Sequence, residues 1–319
     1  MTPLSSRPLR RAMLAATTAA IAVAAAATSL IGIGSTAAAG ANHAGGVTRP
    51  PVVAGSRYLA LGDSISFGYR ESNSIPAPNY TKPKTFVGFP EDVAANLGLN
   101  LTNASCPGET TVSLINPKGQ SNGCENTFVK DSPPRPPGYR TVYPLHVRYD
   151  SSTESQLAFA ERFLRAHPKT RLVSLMVGAN DGYVCEHTYS DGCLSEFGAL
   201  QKTLTTNVAK IFKGLRVVAH YTGQIVLVTY YSTNYSNALD NTESQGVNSA
   251  LEIAAKRFHV QIADGYGQFQ MAARQAKGDA CSAGLLTALS GSAAGTCGVH
   301  PSVAGAALLA QAVERAVKK

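Results

Sequence analysis

The chain has 319 residues and a formal net charge of +8, from 28 basic and 20 acidic side chains. Three arginines lie within the first eleven residues, so the rest of the chain carries 25 basic against 20 acidic side chains, a charge of +5. These charges are dispersed and form no Lys/Arg block, which argues against nucleic-acid binding and favours a soluble surface.

The first 41 residues have the pattern of an export signal. Arg10 and Arg11 precede an uncharged stretch over residues 12–33, and small residues at 37–41 offer a cleavage site. We therefore predict a signal peptide over residues 1–41, exported by the general secretory or the twin-arginine route. The alternative is an uncleaved membrane anchor, because about 20 apolar residues can span a bilayer. No second apolar span follows, so we expect no stable membrane insertion after cleavage.

The remainder has the length of one folded unit. Residues 42–54 contain glycine and proline, and we predict a flexible leader there. Residues 55–319 are sufficient for a single α/β domain with a sizeable core.

Short apolar runs alternate with helical patterns along this domain. The predicted strands are residues 58–61, 101–104, 172–177, 224–230 and 259–263. The predicted helices are residues 90–97, 154–166, 194–214, 237–258 and 302–317. This alternation favours a mostly parallel sheet covered by helices on both faces. Because such sheets bind ligands at the carboxyl ends of their strands, we expect the chemistry in the turns that follow the strands.

Two long segments interrupt the alternation, at residues 116–150 and 182–193. Loops of this length in a compact domain are usually functional or disordered, and the cysteines within them favour order. We expect both segments to shape a substrate pocket. Three tyrosines near strand ends are further candidates for its lining, although core packing would explain at least one of them: Tyr183, Tyr230 and Tyr231.

All six cysteines lie beyond the predicted signal. Export to an oxidising compartment favours disulfides, and six cysteines allow fifteen pairings. Each neighbouring pair encloses a short loop, so we predict that neighbours are joined. The predicted disulfides are Cys106–Cys124, Cys185–Cys193 and Cys281–Cys297. The spacings match no Cys/His zinc pattern, and we predict no bound metal.

Four polar segments fall where the chemistry is expected. They are Gly62-Asp63-Ser64, Cys106-Pro107-Gly108-Glu109-Thr110, Gly178-Ala179-Asn180-Asp181 and Cys297-Gly298-Val299-His300-Pro301-Ser302. Each is common by chance when taken alone. Together, in this order, they resemble the SGNH (GDSL) hydrolase family of esterases and lipases, over residues 58–317.

The resemblance implies a flavodoxin-like three-layer α/β/α sandwich, the SGNH hydrolase fold, and no cofactor. It implies that Ser64 is the nucleophile and His300 the base. It also implies an oxyanion hole formed by the amide of Ser64, the amide of Gly108 and the side chain of Asn180. We expect a monomer that acts on a small-molecule or lipid ester.

Elementary chemistry agrees with these roles. A serine hydroxyl is a weak nucleophile until an imidazole takes its proton, and the same imidazole returns a proton to the leaving alcohol. A glycine amide can approach a substrate closely because no Cβ intervenes, and an asparagine donates without carrying charge. We expect Ser64 to begin a helix, and Asp63 and Asp181 to brace their turns. The alternatives are that Ser64 is only a helix cap, Gly108 a turn glycine and Asn180 an Asx-turn residue.

The sequence departs from the family pattern at one position. The family places an aspartate three residues before the histidine, where this chain has Cys297. Three substitutes are possible: a main-chain carbonyl near Cys297, a distant acid such as Asp279, or a Ser-His dyad. We favour the carbonyl, which a disulfide through Cys297 would help to fix.

We therefore predict a secreted carboxylic-ester hydrolase, an esterase or lipase that forms an acyl-enzyme on Ser64. A carbohydrate O-deacetylase and an acyltransferase are alternatives on the same scaffold. A non-catalytic binding protein is a further alternative, because the expected aspartate is missing.

Overall fold

The structure is a computed structural model that describes residues 49–130, 137–291 and 296–319. The predicted signal peptide and residues 42–48 of the predicted leader lie outside the described residues. Among the helices in the described ranges, none is both long enough and apolar enough to traverse a bilayer.

Five parallel strands form the central sheet. They are β1 (Arg57–Gly62), β2 (Asn100–Asn103), β3 (Thr170–Met176), β4 (Gln224–Val228) and β5 (Gln261–Ala263). Their order across the sheet is β2-β1-β3-β4-β5, and every neighbouring pair is parallel. The central strands are almost wholly buried, as expected for a parallel sheet covered on both faces. The flavodoxin-like α/β fold predicted from the sequence is confirmed.

Within the described ranges, ten α-helices connect and cover these strands. They are α1 (Ser64–Phe67), α2 (Phe89–Leu97), α3 (Thr111–Ile115), α4 (Tyr139–Val142), α5 (Gln156–Ala166), α6 (Ala179–Thr188), α7 (Phe197–Lys213), α8 (Ala238–Lys256), α9 (Gly265–Ala273) and α10 (Val303–Ala316). A π-helical turn, Gly214–Val218, continues α7. Two further strands, β6 (Leu286–Ala288) and β7 (Cys297–Pro301), form a separate antiparallel pair.

Local capping explains where several of the predicted helices begin. Ser155 accepts a hydrogen bond from the backbone of α5, Asn237 does so for α8 and Ser302 for α10. Such side chains satisfy amide groups that have no partner within the helix. The ends of the long helices therefore match the sequence prediction to within about three residues. Helix ends are in any case defined only to within one or two residues.

Some elements were not predicted from the sequence. Helix α6 occupies part of the segment 182–193, which the sequence analysis treats as a loop. Asp181 is the only buried residue of α6, so no apolar stripe indicates the helix. Helix α9 was not predicted either. The pair β6–β7 was not predicted because both strands are short and β7 has no fully buried residue.

The described part of the predicted leader is packed against the domain. Val52 is buried, and its backbone amide donates to the carbonyl of Lys318 at 3.1 Å. Gln224 Nε2 donates to the carbonyl of Pro50, also at 3.1 Å. Pro50 and Val52, within the predicted leader, therefore both contact the domain.

The order of the strands determines where a site can form. Strands β2 and β3 lie on opposite sides of β1, so the chain after β1 and the chain after β3 leave the sheet in different directions. In open α/β sheets, ligands bind in the crevice at such a switch point, outside the carboxyl ends of the strands. Ser64 follows β1 and Asn180 follows β3, so both candidate residues lie at this crevice.

Candidate active site

Ser64 is positioned by the sharp turn that follows β1. Gly62 has φ +135°, and a Cβ at this position would lie 2.1 Å from the carbonyl oxygen of Met176. Only glycine fits there. Asp63 caps α1 by accepting a hydrogen bond from the Ile65 amide at 3.0 Å. Ser64 is therefore the first residue of the helix, as predicted, and Asp63 braces its own turn.

His300 lies on β7 and contacts Ser64 directly. Its Nε2 atom is 2.9 Å from Ser64 Oγ, and its Nδ1 atom is 2.7 Å from Oε1 of Glu71. A carboxylate can only accept hydrogen bonds, so the ring proton resides on Nδ1. The lone pair of Nε2 then faces the hydroxyl of Ser64, which is the tautomer that a general base requires.

Glu71 comes from the loop after α1 and is held by the pair β6–β7. Thr287 Oγ1 donates to Glu71 Oε2 at 2.6 Å, and the Val299 amide donates to Oε1 at 3.0 Å. Burial raises the pKa of Glu71, but the hydrogen bond and charge of His300, together with the Thr287 hydroxyl, lower it to about 2. Glu71 is therefore ionised at neutral pH.

This arrangement corrects the sequence prediction. We favoured a main-chain carbonyl near Cys297 as the partner of His300, with Asp279 or a Ser-His dyad as alternatives. Glu71 holds that position instead, and Asp279 accepts a hydrogen bond from the Ser282 amide at 2.9 Å. Glu71 could not be predicted from the sequence, because its contact with His300 joins residues 229 positions apart.

One sequence feature is consistent with this contact in retrospect. A Cβ on Gly298 would lie 2.0 Å from Glu71 Oε1, so the carboxylate reaches His300 only because position 298 is glycine. A glycine next to the histidine segment is too common to identify a distant acid. The disulfide Cys281–Cys297 anchors the start of β7, the strand that carries His300.

All three predicted disulfide pairings occur in the structure. The Cα–Cα distances are 5.6 Å for Cys106–Cys124, 5.3 Å for Cys185–Cys193 and 5.7 Å for Cys281–Cys297. These values are usual for disulfides. The first two disulfides fix segments that border the crevice, the turn after β2 and the end of α6.

Asn180 lies at the start of α6 with its amide orientation fixed. Its Nδ2 donates to the carbonyl of Glu109 at 3.0 Å, and its Oδ1 accepts from Asn122 Nδ2 at 2.9 Å. A carbonyl cannot donate, so the group that faces Glu109 must be the NH₂. One N–H of Asn180 is needed for this bond, which leaves the second available to a substrate. Asn122, within the segment 116–150, was not predicted as a site residue.

Gly108 lies in the turn after β2 with φ +82°. Its carbonyl accepts from the Asn122 amide at 2.7 Å, and a Cβ would lie 2.5 Å from the Asn122 carbonyl oxygen. The turn therefore requires glycine for close backbone packing. Ser64, Asn180 and His300 line one cavity, but Gly108 is not among the described residues that line it. Its role as an oxyanion donor stays a prediction.

Asp181 contacts a different element from the one we predicted. It accepts hydrogen bonds from the amide and the hydroxyl of Thr111, at 2.8 and 2.5 Å, and thus joins α6 to α3. Burial raises the pKa of Asp181 to about 6, against the lowering effect of these bonds. Burial likewise raises the pKa of Asp63 to about 6, although the hydroxyl of Tyr230 donates to it at 2.5 Å.

The cavity beside Ser64 has a volume of about 620 Å³. Its lining includes the three predicted tyrosines, Tyr183, Tyr230 and Tyr231. Both long segments contribute, the first through Asn122 and the second through residues of α6 and the loop that follows it. A concave, partly apolar cavity with a few converging polar groups is typical of a small-molecule site.

Among the described residues, one group of side chains has its potential ligand atoms close enough together to bind a metal ion. It consists of Cys106, Glu109 and Cys124. Its two sulfur atoms are joined in a disulfide, so neither is a thiolate that could bind a metal.

Comparisons with known proteins agree with the resemblance seen in the sequence. A family model described as GDSL-like lipase/acylhydrolase matches residues 58–313. Similar solved structures include Axe2, an acetylxylan esterase from Geobacillus stearothermophilus, with 18% identity, a TM-score of 0.47, and coverage of 83% of this chain and 95% of that chain. LAE5, an alpha/beta hydrolase enzyme from the metagenome of Lake Arreo, Spain, has 18% identity, a TM-score of 0.45 and the same coverage of both chains. No curated protein matches the chain.

Proposed function

Since the chain belongs to the GDSL-like lipase/acylhydrolase family and is a serine ester hydrolase, we propose that it cleaves carboxylic esters through an acyl-enzyme on Ser64. The observation that supports this is the continuous set of contacts from Ser64 Oγ to His300 Nε2, and from His300 Nδ1 to Glu71, at 2.9 and 2.7 Å. The nucleophile, its base and an ionised acid are already in hydrogen-bonding contact.

The first half of the reaction forms the acyl-enzyme. Ser64 Oγ attacks the ester carbonyl carbon while its proton passes to His300 Nε2. The carbonyl oxygen gains negative charge and is held by the Ser64 amide, the free N–H of Asn180 and the amide of Gly108. The C–O bond to the alcohol then breaks, and His300 returns the proton to the leaving oxygen.

The second half releases the acid. Water attacks the acyl carbon, gives a proton to His300, and the bond to Ser64 Oγ breaks as the same proton returns to the serine. Glu71 remains ionised throughout, because its low pKa of about 2 prevents it from taking the proton. It orients the ring and stabilises the imidazolium that forms in each half-reaction.

We also propose that the enzyme acts outside the cell. The three disulfides and the lack of a membrane-spanning helix in the described ranges are compatible with export. The signal-like pattern of residues 1–41 supports the same conclusion.

A fluorophosphonate probe tests the proposed nucleophile. The probe should label the wild-type protein at Ser64, as identified by peptide mass spectrometry, and Ser64→Ala should abolish labelling and lower kcat by about 10⁴-fold or more. Ser236→Ala, at an exposed serine, is the control and should label normally. Absence of labelling in folded wild-type protein would overturn the proposal.

A further inference from the structure

We propose that the cavity beside Ser64 binds the acyl part of the ester, and that this acyl part is an uncharged chain of medium length. This inference rests on the proposed function, because it takes Ser64 as the point where the acyl carbon is bound. It adds the substrate class and the residues that set it.

The lining of the cavity changes from buried to exposed. Ile65, directly after the nucleophile, and Leu200 and Val247 are each less than a tenth exposed. Tyr183 and Val299 also line the cavity, but they are 41% and 62% exposed. An acyl chain that starts at Ser64 and lies against Ile65, Leu200 and Val247 is removed from water along its length, which strengthens binding by up to about fourfold per methylene group.

The inner wall of the cavity is closely packed. Leu200 belongs to α7 and Val247 to α8, and these two helices are packed on each other. A Cβ on Gly246 would lie 2.4 Å from Phe197 Cε1, so the ring rests directly on the backbone of α8. The side chains of this wall have little space to move away from a bound ligand, because protein interiors are close-packed. The length of chain that fits is therefore limited by the side chains at positions 200 and 247.

The charge of the lining excludes anionic chains. Among the described residues that line the cavity there is no lysine or arginine, and two are glutamates, Glu186 and Glu243. Burial and the nearby charges of Glu186 and Asp240 raise the pKa of Glu243, which indicates a site where further negative charge is unfavourable. An acyl chain that ends in a carboxylate would be repelled, and so would the carboxylate product after hydrolysis.

The first test is a series of p-nitrophenyl esters with acyl chains from acetate to dodecanoate. We expect kcat/KM to rise by about tenfold or more from acetate to octanoate, since each buried methylene contributes at most about fourfold. An ester of octanedioic acid, with the same chain length and a free carboxylate, should react at least about tenfold more slowly than the octanoate.

The second test changes the wall. Val247→Phe should lower the ratio of kcat/KM for octanoate to kcat/KM for acetate by about tenfold or more, because a larger side chain occupies the space of the distal methylenes. Val247→Ala should move the preferred length to a longer chain. Ile253→Phe and Ile253→Ala, at an exposed position of the same helix, are the matched controls and should leave the profile unchanged.

The outcomes separate this inference from the proposed function. Suppose that fluorophosphonate labels Ser64, but that the protein prefers acetate or shows a flat chain-length profile unaffected by either Val247 variant. This result would refute the acyl site and leave the proposed function intact. Failure of Ser64 to react with the probe refutes the proposed function itself. If Val247→Phe does not fold, as judged by circular dichroism, the shift expected for Val247→Ala decides the question.

Discussion

Glu71 contributes to the site from a position that no sequence pattern relates to His300. It is partly buried, accepts hydrogen bonds from three different groups and carries a full negative charge at neutral pH. Charge-assisted hydrogen bonds to histidine are stronger than neutral ones. Glu71 is therefore a positioning residue that acts through His300.

We predict that Glu71→Gln lowers kcat/KM by about 10²-fold or more, because the neutral amide cannot stabilise the imidazolium. The acid limb of the pH profile of kcat/KM should also move to lower pH, an effect that a purely structural residue would not produce. Asp279→Asn serves as the control and should retain activity within about threefold. The reverse result, a large loss for Asp279→Asn and a small one for Glu71→Gln, would restore the rejected alternative.

Asn122 is the second residue that the structure adds, and it acts through Asn180. We predict that Asn180→Ala lowers kcat by about 10²- to 10³-fold, as expected for loss of one oxyanion donor. Asn122→Ala should cost less, about tenfold, because Asn180 keeps its bond to the Glu109 carbonyl. In the Asn180→Ala background, Asn122→Ala should have no further effect on kcat. Additive losses in this double-mutant cycle would show that Asn122 has a role independent of Asn180.

The turn between β1 and α1 is the element on which the site depends most. It combines a left-handed glycine, an aspartate cap and the proposed nucleophile in three consecutive residues, 62–64. Met176, at the end of the neighbouring strand β3, leaves no space for a side chain at position 62. The geometry of Ser64 is therefore determined jointly by β1, β3 and α1.

We predict that Gly62→Ala lowers the free energy of unfolding by more than about 2 kcal/mol, through the unfavourable φ and the contact with the Met176 carbonyl. It should also abolish hydrolysis, because Ser64 must shift. Gly198→Ala provides the comparison, since a Cβ there meets nothing within 4 Å and the residue lies in the first turn of α7. That change should not lower the free energy of unfolding and should raise it by at most about 0.5–1 kcal/mol. Equal effects of the two changes in urea unfolding would contradict this account of the turn.

Across the described part of the molecule, three carboxylate side chains are buried, Asp63, Glu109 and Asp181, whereas no lysine or arginine is. Burial raises the pKa of Asp63 and Asp181 to about 6 and that of Glu91 to about 7, and it also raises the pKa of Glu109. A group whose pKa is higher in the folded than in the unfolded state stabilises the fold below its unfolded pKa, and this contribution is lost as pH rises through the folded value. The pKa of Glu71 is instead lower in the folded state, so its contribution to stability is lost as pH falls from about 4.5 towards 2.

These signs predict that the melting temperature is highest near pH 5 and declines between pH 5 and pH 8. Calorimetric scans from pH 3 to pH 8 would measure it. Glu91→Gln should flatten the decline above pH 6, because it removes the group with a pKa of about 7. A melting temperature that rises steadily from pH 5 to pH 8 would mean that these carboxyl groups do not control stability.

Features that local sequence patterns encode could be predicted without the structure. Apolar runs predict the five parallel strands, of which the three central ones are almost wholly buried. Helix periodicity with caps such as Ser155 and Ser302 predicts the long helices. The spacing of the cysteines was enough for all three disulfides. The turn segments around Ser64, Asn180 and His300 were recognisable as candidates because they follow strands or precede a helix.

Contacts between residues far apart in the chain became visible only in the folded molecule. The contact of Glu71 with His300, the contact of Asn122 with Asn180 and the apolar wall formed by α7 and α8 each join segments far apart in the chain. Periodicity and caps describe a residue's own neighbours within a few positions, so they carry no information on such contacts. The acid was missed because its place is set by how the loop after α1 packs on β6 and β7, where Gly298 leaves room for a carboxylate.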